Sequence, residues 1–286
     1  MKFAFIQSDL SEYPARLCCR VLEVSPSGYH AWRKRPISQR RQRGEKLAEK
    51  IQQVHQENRG VYGSPRVYQA LKAQGETVCV NTVARVMKAR KIRAKTKRKF
   101  VPRTTDSNHA RPVAENVLDR QFTAELPNQK WVTDITYVPT DQGWLYVAGV
   151  MDLCSRKIVG WAMADHMKTD LVSGALKMAI EHRRPKEGLL HHSDRGVQYA
   201  SDDYLYLLQS HEMQVSMSGK GDCWDNAVVE SFWATLKTEL VNQEHYVTMA
   251  QAQQSIFEYI EVFYNRKRMH SSLGYVSPEA FEASLN

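Results

Sequence analysis

The sequence predicts an α/β domain built on a mixed five-stranded sheet with flanking helices, preceded by small all-α modules. Two observations carry this prediction. Residues 1–115 hold 25 Lys and Arg against 9 Asp and Glu, whereas residues 116–286 hold 15 against 22. Near residue 120 the pattern also changes from short helical stretches to β-rich segments. A basic part followed by an acidic part indicates two kinds of module, of which the first is suited to a polyanion such as nucleic acid.

The composition excludes several other classes of protein. No run of 18 apolar residues exists, so no membrane span is expected, and the opening residues do not have the pattern of a signal peptide. The five cysteines show no C-x-x-C spacing. We interpret them as buried thiols of a reducing compartment, neither disulfides nor zinc ligands.

The basic part predicts helix-turn-helix modules. Residues 14–35 read as a helix, a Gly-containing turn and a second helix that ends in Arg33, Lys34 and Arg35. A second unit has a helix at 44–58, a helix that Ser64 caps with Pro65 at its first position, and a third helix that Asn81 caps. These helices are short and separated by basic residues, which is typical of DNA-binding modules.

A basic arm and a polar linker follow these helices. Nine of the sixteen residues from Lys88 to Arg103 are Lys or Arg, which indicates an arm that follows a DNA backbone or a solvated connection. We therefore predict four parts of the chain, which are a helix-turn-helix-like module at 1–43, a second helical module with the basic arm at 44–103, a linker at 104–120 and a catalytic core with a C-terminal helical segment at 121–286.

The acidic part begins with three β-rich segments joined by short loops, an antiparallel meander at 131–138, 144–152 and 157–163. Helices and strands then alternate: helix 170–182, strand 189–192, helix 202–210, strand 214–217, helix 226–240 and a final helix 250–264. The order βββ-α-β-α-β-α is that of the ribonuclease-H-like fold.

Three carboxylates stand where separate elements of this fold converge. Asp134 lies in the middle of the first strand, Asp194 just after a short buried strand, and Glu230 one turn into a long helix. A charge among apolar strand residues is costly unless it has a partner. An all-oxygen cluster suits Mg²⁺ or Mn²⁺, and two such ions about 3.5–4 Å apart would support phosphodiester cleavage.

Other acidic residues remain as alternatives on the residues alone. Asp152 ends the second strand and is the most credible substitute for one of the three. Asp225 has the position of a helix cap, and Asp222 falls in the loop before it.

Three segments resemble the DDE transposase and retroviral-integrase superfamily, and they lie at 131–137, 193–199 and 225–237. More closely, the whole chain resembles the second-frame product, OrfB, of the insertion sequence three family. The spacing of the residues carries the resemblance. In this chain 35 residues separate Asp194 from Glu230, and Lys237 follows Glu230 by seven residues on the same helix face. Two further matching segments lie at 27–32 and at 264–275 with Pro278.

The resemblance implies a DNA transposase whose catalytic and metal-binding residues are Asp134, Asp194 and Glu230. It implies Mg²⁺ or Mn²⁺, as two ions, and a reaction that frees a 3′-hydroxyl at the end of the element and uses it to attack DNA without a covalent protein intermediate. The implied partners are double-stranded DNA (terminal inverted repeats and target), OrfA or an OrfA–OrfB fusion, and at least one further copy of the chain on DNA. The implied location is the bacterial cytoplasm, at the nucleoid.

Residues expected to contact DNA are basic and lie near the carboxylates or in the N-terminal modules: Lys237, Arg195, Lys220, Arg33, Lys34, Arg35, Arg66, Arg85, Lys91, Arg93, Lys97 and Arg98. Gln198 and Asn226 are further candidates for phosphate contacts. We interpret His191 and His192 as packing residues of their strand. The four tryptophans 131, 144, 161 and 233 are interpreted as core residues and not as base-stacking platforms.

Two other functions remain open at this point. The chain could be a DNA-binding regulator of transposition that keeps the fold without the activity, against which an intact set of three carboxylates argues. It could also be a ribonuclease-H-like nuclease that hydrolyses DNA without joining it. No heptad zipper is present, so the chain is expected to be the catalytic portion of a larger enzyme.

Overall fold

The computed structural model describes residues 1–36, 38–96, 114–219 and 223–285. The chain forms two compact units, residues 1–53 and residues 54–286, and the division falls inside one helix. Among the described helices, none is long and apolar enough to cross a bilayer. Each unit has its own apolar core.

The first unit contains helices α1 Lys2–Ser8, α2 Ala15–Val21, α3 Pro26–Lys34 and most of α4 Gln39–Glu57. Its core is formed by Ile6, Cys18, Cys19 and Tyr29. The Oγ of Ser25 accepts a hydrogen bond from the backbone N–H of Gly28 and caps α3 (3.2 Å). The predicted helix–turn–helix therefore forms as α2 and α3, and α1 is an addition that the sequence pattern did not predict.

The second unit opens with two short helices, α5 Ser64–Ala73 and α6 Val80–Ala89. Both predicted caps are wrong, because α5 begins at Ser64 itself with Gly63 at its N-cap, and α6 begins two residues earlier than predicted with Cys79 at its N-cap. Asn81 therefore lies inside the first turn. Cys79 is also exposed, which contradicts its interpretation as a buried thiol, whereas Cys18, Cys19 and Cys154 are buried as expected.

A five-stranded mixed sheet forms the centre of this unit. Its strands are β1 Lys130–Thr140, β2 Gly143–Asp152, β3 Ile158–Ala164, β4 Leu190–Ser193 and β5 Gln214–Met217. The order across the sheet is β3-β2-β1-β4-β5, in which β1, β2 and β3 are antiparallel neighbours, while β4 is parallel to β1 and β5 is parallel to β4. The predicted meander and the predicted mixed sheet are confirmed.

Helices flank the sheet, and their bounds are α7 Thr169–Arg183, α8 Asp202–Ser210, α9 Ala227–Glu239, α10 Met249–Phe257 and α11 Pro278–Ala283. A short 3₁₀ turn, Cys223–Asn226, precedes α9, and α10 continues as a π-helical stretch, Glu258–Tyr264. The capping box of Thr248 and Gln251 starts α10. The predicted final helix therefore exists, but its second half has π geometry.

Helix α7 lies very close to β3 because Gly160 has no side chain. A Cβ at this position would come within 2.2 Å of the carbonyl oxygen of Ala175 and 2.6 Å of the amide nitrogen of Ala179. Ala175 and Ala179 are small and fully buried, so the helix backbone rests almost directly on the strand. The close approach sets the packing distance of α7 on the sheet.

A buried polar cluster fixes the far end of α9. The carboxylate of Glu239 accepts two hydrogen bonds from the guanidinium of Arg268 (2.7 and 2.8 Å) and one from the hydroxyl of Tyr259 (2.7 Å). Burial alone would lower the pKa of Arg268, but its hydrogen bonds and charge interaction with Glu239 outweigh burial and raise that pKa. The side chains of Glu239 and Arg268 are 8% and 6% exposed, so the pair is shielded from solvent.

The same cluster holds the first part of the second unit against the sheet domain. The ammonium of Lys95 donates to the backbone carbonyl of Glu239 (3.0 Å), a favourable place for a cation at the C-terminal end of a helix. The hydroxyl of Tyr62 donates to the carbonyl of Lys267 (3.2 Å) and accepts from the N–H of Met269 (2.8 Å). These contacts do not test the predicted domain boundaries at residues 43, 103 and 120, which stay predictions.

Gly160→Ala is expected to lower the free energy of unfolding by more than about 2 kcal/mol, because the new methyl group meets backbone atoms that cannot move independently. The matched control is Gly44→Ala, where an added Cβ meets nothing within 4 Å. That control should be neutral or stabilising by up to about 1 kcal/mol. Urea denaturation measures both, and equal effects of the two substitutions would contradict the packing argument.

Arg268→Ala is expected to lower the free energy of unfolding by about 3–5 kcal/mol, because it leaves the Glu239 carboxylate buried without its partner. Arg266→Ala is the control, since its ion pair with Glu279 (3.4 Å) is exposed on both sides. The control should change stability by less than about 1 kcal/mol. Thermal and urea denaturation of the two variants compare these values directly.

Candidate active site

The parallel pairing of β4 with β1 brings two of the predicted carboxylates to one place. Val132 is the register partner of His192, so the same register continued past Ser193, the end of β4, places residue 194 beside Asp134 on β1. Asp194 is the next residue after the strand. Its carboxylate accepts a hydrogen bond from the backbone N–H of Gly196 (2.9 Å), which holds it in the tight turn.

Helix α9 presents the third carboxylate, and two contacts hold the start and the middle of this helix on β1 and β2. The amide nitrogen of Asn226 donates to the backbone carbonyl of Thr133 (3.0 Å), the residue before Asp134. Trp233 lies one turn after Glu230, and its ring contacts Gly149, where a Cβ would come within 2.9 Å of the ring. Gly149 is the register partner of Asp134. The indole therefore occupies the space that the side chain of any residue other than glycine would fill at position 149, opposite Asp134.

The three carboxylates interact electrostatically. Burial raises the pKa of Asp134 well above its usual range, and the charges of Asp194 and Glu230 raise it further, against the N–H of Ile135 and the charge of Lys237. Burial and the charge of Asp194 also raise the pKa of Glu230. Like charges that disfavour one another in a shielded place are an arrangement that a divalent cation would relieve.

Lys237 contributes a positive charge beside this group. Burial lowers the pKa of its ammonium, while the charge of Asp134 raises it. The ammonium lies 4.5 Å from the centre of the Tyr137 ring, a cation–π contact. The spacing in the sequence predicted that Lys237 lies on the same side of the helix as Glu230, and in the structure its ammonium is near Asp134.

A cavity of about 120 Å³ opens at Asp134 and Asp194. Its other walls come from the first two strands and from the segments around β4: Ile135, Tyr137, Tyr146, Met167, Gly196, Val197, Gln198 and Tyr199. Glu230 is not among the residues that line it, and it is exposed on α9. Sequence analysis missed Tyr146 and Met167, because neither lies near Asp134, Asp194 or Glu230 along the chain.

The donor set fits a hard divalent cation in its chemistry. All three side chains offer oxygen, the ligand that Mg²⁺ and Mn²⁺ prefer, and the repulsion within the group calls for a positive charge. In the described residues no three His, Cys, Asp or Glu side chains are already close enough to hold one metal ion. The fit therefore rests on charge and on donor chemistry.

Two rival carboxylates have other tasks. Asp152 is fully buried, and its oxygens accept hydrogen bonds from four N–H groups, those of Asn128, Trp131, Cys154 and Ser155. Asp225 does not cap α9 as predicted. Its oxygens accept from Arg120, Asn116 and the N–H of Gly219 instead, and these bonds leave its pKa lowered although burial opposes them.

The two histidines of β4 are internal residues, as interpreted. The Nε2 of His191 lies 3.0 Å from the hydroxyl of Tyr204, and the Nδ1 of His192 lies 2.8 Å from that of Ser216. Burial lowers the pKa of His191 to about 3 and that of His192 to about 4. Both rings are therefore neutral at neutral pH.

The tryptophans do not all follow their interpretation as core residues. Trp131 and Trp233 are buried, at 0% and 4% exposure, and Trp161 is half-buried with its indole N–H donating to Glu261 (2.7 Å). Trp144 is 50% exposed at the start of β2. The interpretation is wrong for Trp144, whose ring packs edge to face on Tyr137 next to the turn between β1 and β2 and is otherwise open to solvent.

The predicted DNA contacts fall into three groups. Exposed side chains on the helical parts are Arg33, Lys34, Arg35, Arg85, Lys91 and Arg93. Others are engaged within the protein: Arg195 donates to the carbonyl of Ser218 (2.6 Å), and the guanidinium of Arg66 lies 5.8 Å from the Tyr62 ring centre. Lys97, Arg98 and Lys220 lie outside the described residues, as does Asp222.

The two amide candidates for phosphate contacts are buried. Gln198 donates to the carbonyl of Met167 (2.9 Å), and Asn226 is bonded to Thr133 as described above. Both amides therefore act inside the fold, where they hold the cavity wall and the start of α9.

Three family models match this chain. Two are described as Integrase core domain and match residues 124–223 and 211–278. The third, described as HTH-like domain, matches residues 42–100. The HTH-like match thus falls on the second of the two predicted helical modules.

Two curated relatives match nearly the whole chain. The transposase InsF for insertion sequence IS3A of Escherichia coli (strain K12) is 43% identical over 284 residues, which cover 99% of this chain and 98% of that protein. An uncharacterized 31 kDa protein of insertion element IS600 from Shigella sonnei is 45% identical over 263 residues, or 92% of this chain and 96% of that protein.

Solved structures resemble the chain more distantly. One is a simian T-cell lymphotropic virus intasome in complex with the PP2A regulatory subunit B56 gamma, with a TM-score of 0.49, 16% identity and coverage of 75% of this chain and 69% of that one. Another is the HTLV-2 integrase catalytic core domain in complex with magnesium, with a TM-score of 0.44, 14% identity and coverage of 56% and 99%.

The fold class agrees with the integrase core matches, and the identity extends over both the helical and the sheet parts of the chain. The chain therefore belongs to the family of the InsF transposases of insertion sequence IS3, and it is an enzyme of the DDE transposase and integrase type.

Proposed function

We propose that Asp134, Asp194 and Glu230 are the catalytic residues and that they bind divalent metal for cleavage and joining of DNA strands at the ends of an insertion sequence. The single observation that carries this proposal is that Asp134 and Asp194 line one cavity, with Glu230 near enough for its charge to raise the pKa of Asp134. Carboxylates with raised pKa values in a cleft are typical of functional sites. The pKa of Asp152 is raised by burial as well, but Asp152 and Asp225 accept several hydrogen bonds within the protein and neither lines this cavity.

The three carboxylates would hold Mg²⁺ or Mn²⁺, and we propose two ions because the reaction has both an attacking and a departing oxygen. The bound metal would supply activation of the attacking hydroxyl and neutralisation of the departing oxyanion. The protein's own contribution is to position the carboxylates, although their surroundings disfavour the charged forms until a cation is bound. Gly196 orients Asp194 through its N–H, and Trp233 on Gly149 keeps the Glu230 helix at the sheet.

Lys237 would bind a phosphate of the DNA strand that enters the cavity. Its ammonium is near Asp134 and lies over the Tyr137 ring, so the side chain is already positioned before DNA binds. A cation on the wall of a negatively charged site also limits the repulsion that an incoming phosphate experiences.

Double-stranded DNA is the proposed substrate, as terminal repeats and as target. The exposed basic side chains of the helical parts would carry the sequence-independent part of its binding. Two ends must be joined in one reaction, so at least two copies of the chain are proposed in the active complex. OrfA, or a fusion of OrfA with this chain, is the proposed further partner.

We expect a loss of at least about a thousandfold in Mg²⁺-dependent cleavage and in 3′-hydroxyl joining for each of Asp134→Asn, Asp194→Asn and Glu230→Gln. Each substitution removes the charge of a metal ligand and keeps the shape of the side chain. Asp203→Asn, on the exposed side of α8, is the control and should keep full activity. The assay uses the full chain with duplexes that carry the element end. Undiminished cleavage by Asp134→Asn would overturn the assignment, and cleavage without joining by the wild type would indicate a nuclease.

Asp134→Asn is also expected to raise the melting temperature of the metal-free protein by a few degrees at pH 8. A carboxylate whose pKa is raised by folding destabilises the folded state once the pH exceeds its unfolded value, near 3.8. The difference from the wild type should therefore vanish near pH 4 and grow as the pH rises. Thermal denaturation across this range measures it, and a variant less stable than the wild type at pH 8 would contradict the expected repulsion.

A further inference from the structure

The exposed indole of Trp144 is continuous with the catalytic cavity through one other aromatic ring. The rings of Trp144 and Tyr137 meet edge to face, with their centres 4.9 Å apart at an interplanar angle of 90°. Tyr137 in turn lines the cavity at Asp134 and Asp194. A row of aromatic surface therefore leads from the carboxylates outward along the first two strands.

This row carries positive charge on its inner part. The ammonium of Lys237 lies 4.5 Å from the centre of the Tyr137 ring. An aromatic surface beside a cation is the combination by which proteins bind single-stranded nucleic acid, since bases stack on the rings and the cation attracts the backbone. A duplex with all its bases paired offers no free base faces except at its end.

We propose that Trp144 and Tyr137 form a stacking site for unpaired nucleobases of the DNA strand whose phosphate enters the cavity. Trp144 is 50% exposed, which leaves the surface of its ring available to a base. This inference rests on the proposed function, because the position of the stacking site relative to the reaction depends on the assignment of Asp134 and Asp194.

The register of the β-sheet gives the length of the DNA strand that would lie between the carboxylates and the stacking site. Trp144 is paired with Pro139, five residues along β1 from Asp134. At roughly 3.4 Å per strand residue the separation is about 17 Å, which corresponds to about five stacked nucleotides. The inference is therefore that about five nucleotides next to the reacting phosphate leave the duplex when the strand is bound.

The test compares two fluorescein-labelled duplexes of equal length, one fully paired and one with five mismatched pairs at one end, by fluorescence anisotropy without metal. Trp144→Ala in the full chain is expected to weaken binding of the mismatched duplex roughly tenfold and that of the paired duplex less than twofold. Trp144→Phe, which keeps a ring, should restore most of the difference. Tyr206→Ala removes an aromatic ring that is 73% exposed on α8 and should change neither affinity.

An adenine analogue whose fluorescence is quenched by stacking provides a second readout. Placed at the fifth mismatched nucleotide, it should be quenched by the wild type and by Trp144→Phe, but not by Trp144→Ala. Equal weakening of both duplexes by Trp144→Ala, or no weakening of either, would overturn the stacking site. Because these measurements contain no metal and no cleavage, they can succeed or fail independently of the activity of Asp134→Asn.

Discussion

Repulsion among three carboxylates is the constraint around which this structure is organised. Asp134, Asp194 and Glu230 come from a strand, a turn and a helix, and the charges of Asp194 and Glu230 raise the pKa of Asp134, while that of Asp194 raises the pKa of Glu230. Such a group stays together only if its supporting elements are fixed by other interactions. Parallel pairing of β4 with β1 brings the first two together, and the packing of α9 brings the third. The stability of the rest of the domain therefore offsets a locally unfavourable arrangement, as is common at functional sites.

Helix α9 is held at both ends, which explains how a single helix can present Glu230 and Lys237 together. At its start Asn226 bonds to β1, in its middle Trp233 lies on Gly149, and at its end Glu239 is bound by Arg268 and Tyr259. Lys95 bonds to the carbonyl of Glu239, and Tyr62 bonds to the backbone on both sides of Arg268, so the helical region that has the HTH-like match contacts this helix and its partner segment. Binding of DNA by that region would act on an element that also carries part of the proposed site.

Much of the fold could be predicted from the sequence, because alternation and helical periodicity are local signals. The α8 and β5 ranges agree with the predicted ones to the residue, and the meander has the predicted order. What could not be predicted depends on partners distant in sequence. The small size of Gly149 is explained only by its contact with Trp233, and Asp225 bonds to Arg120 and Asn116 instead of capping a helix. Trp144 contacts Tyr137 and remains half exposed, which the pattern of its strand did not indicate. The carboxylates themselves were predicted by their elements and by the family spacing, whereas the cavity walls at Tyr146 and Met167 were not.

The central claim is that these three carboxylates form one binding site for divalent metal. Calorimetric titration of Mn²⁺ into the full chain bound to duplex DNA tests it most directly, with Asp134→Asn, Asp194→Asn and Glu230→Gln measured beside the wild type. The account predicts saturable binding of two ions by the wild type, with weakened or lost binding in all three variants, because each ion depends on shared carboxylates. Binding that is unchanged in any one of the three variants would contradict it.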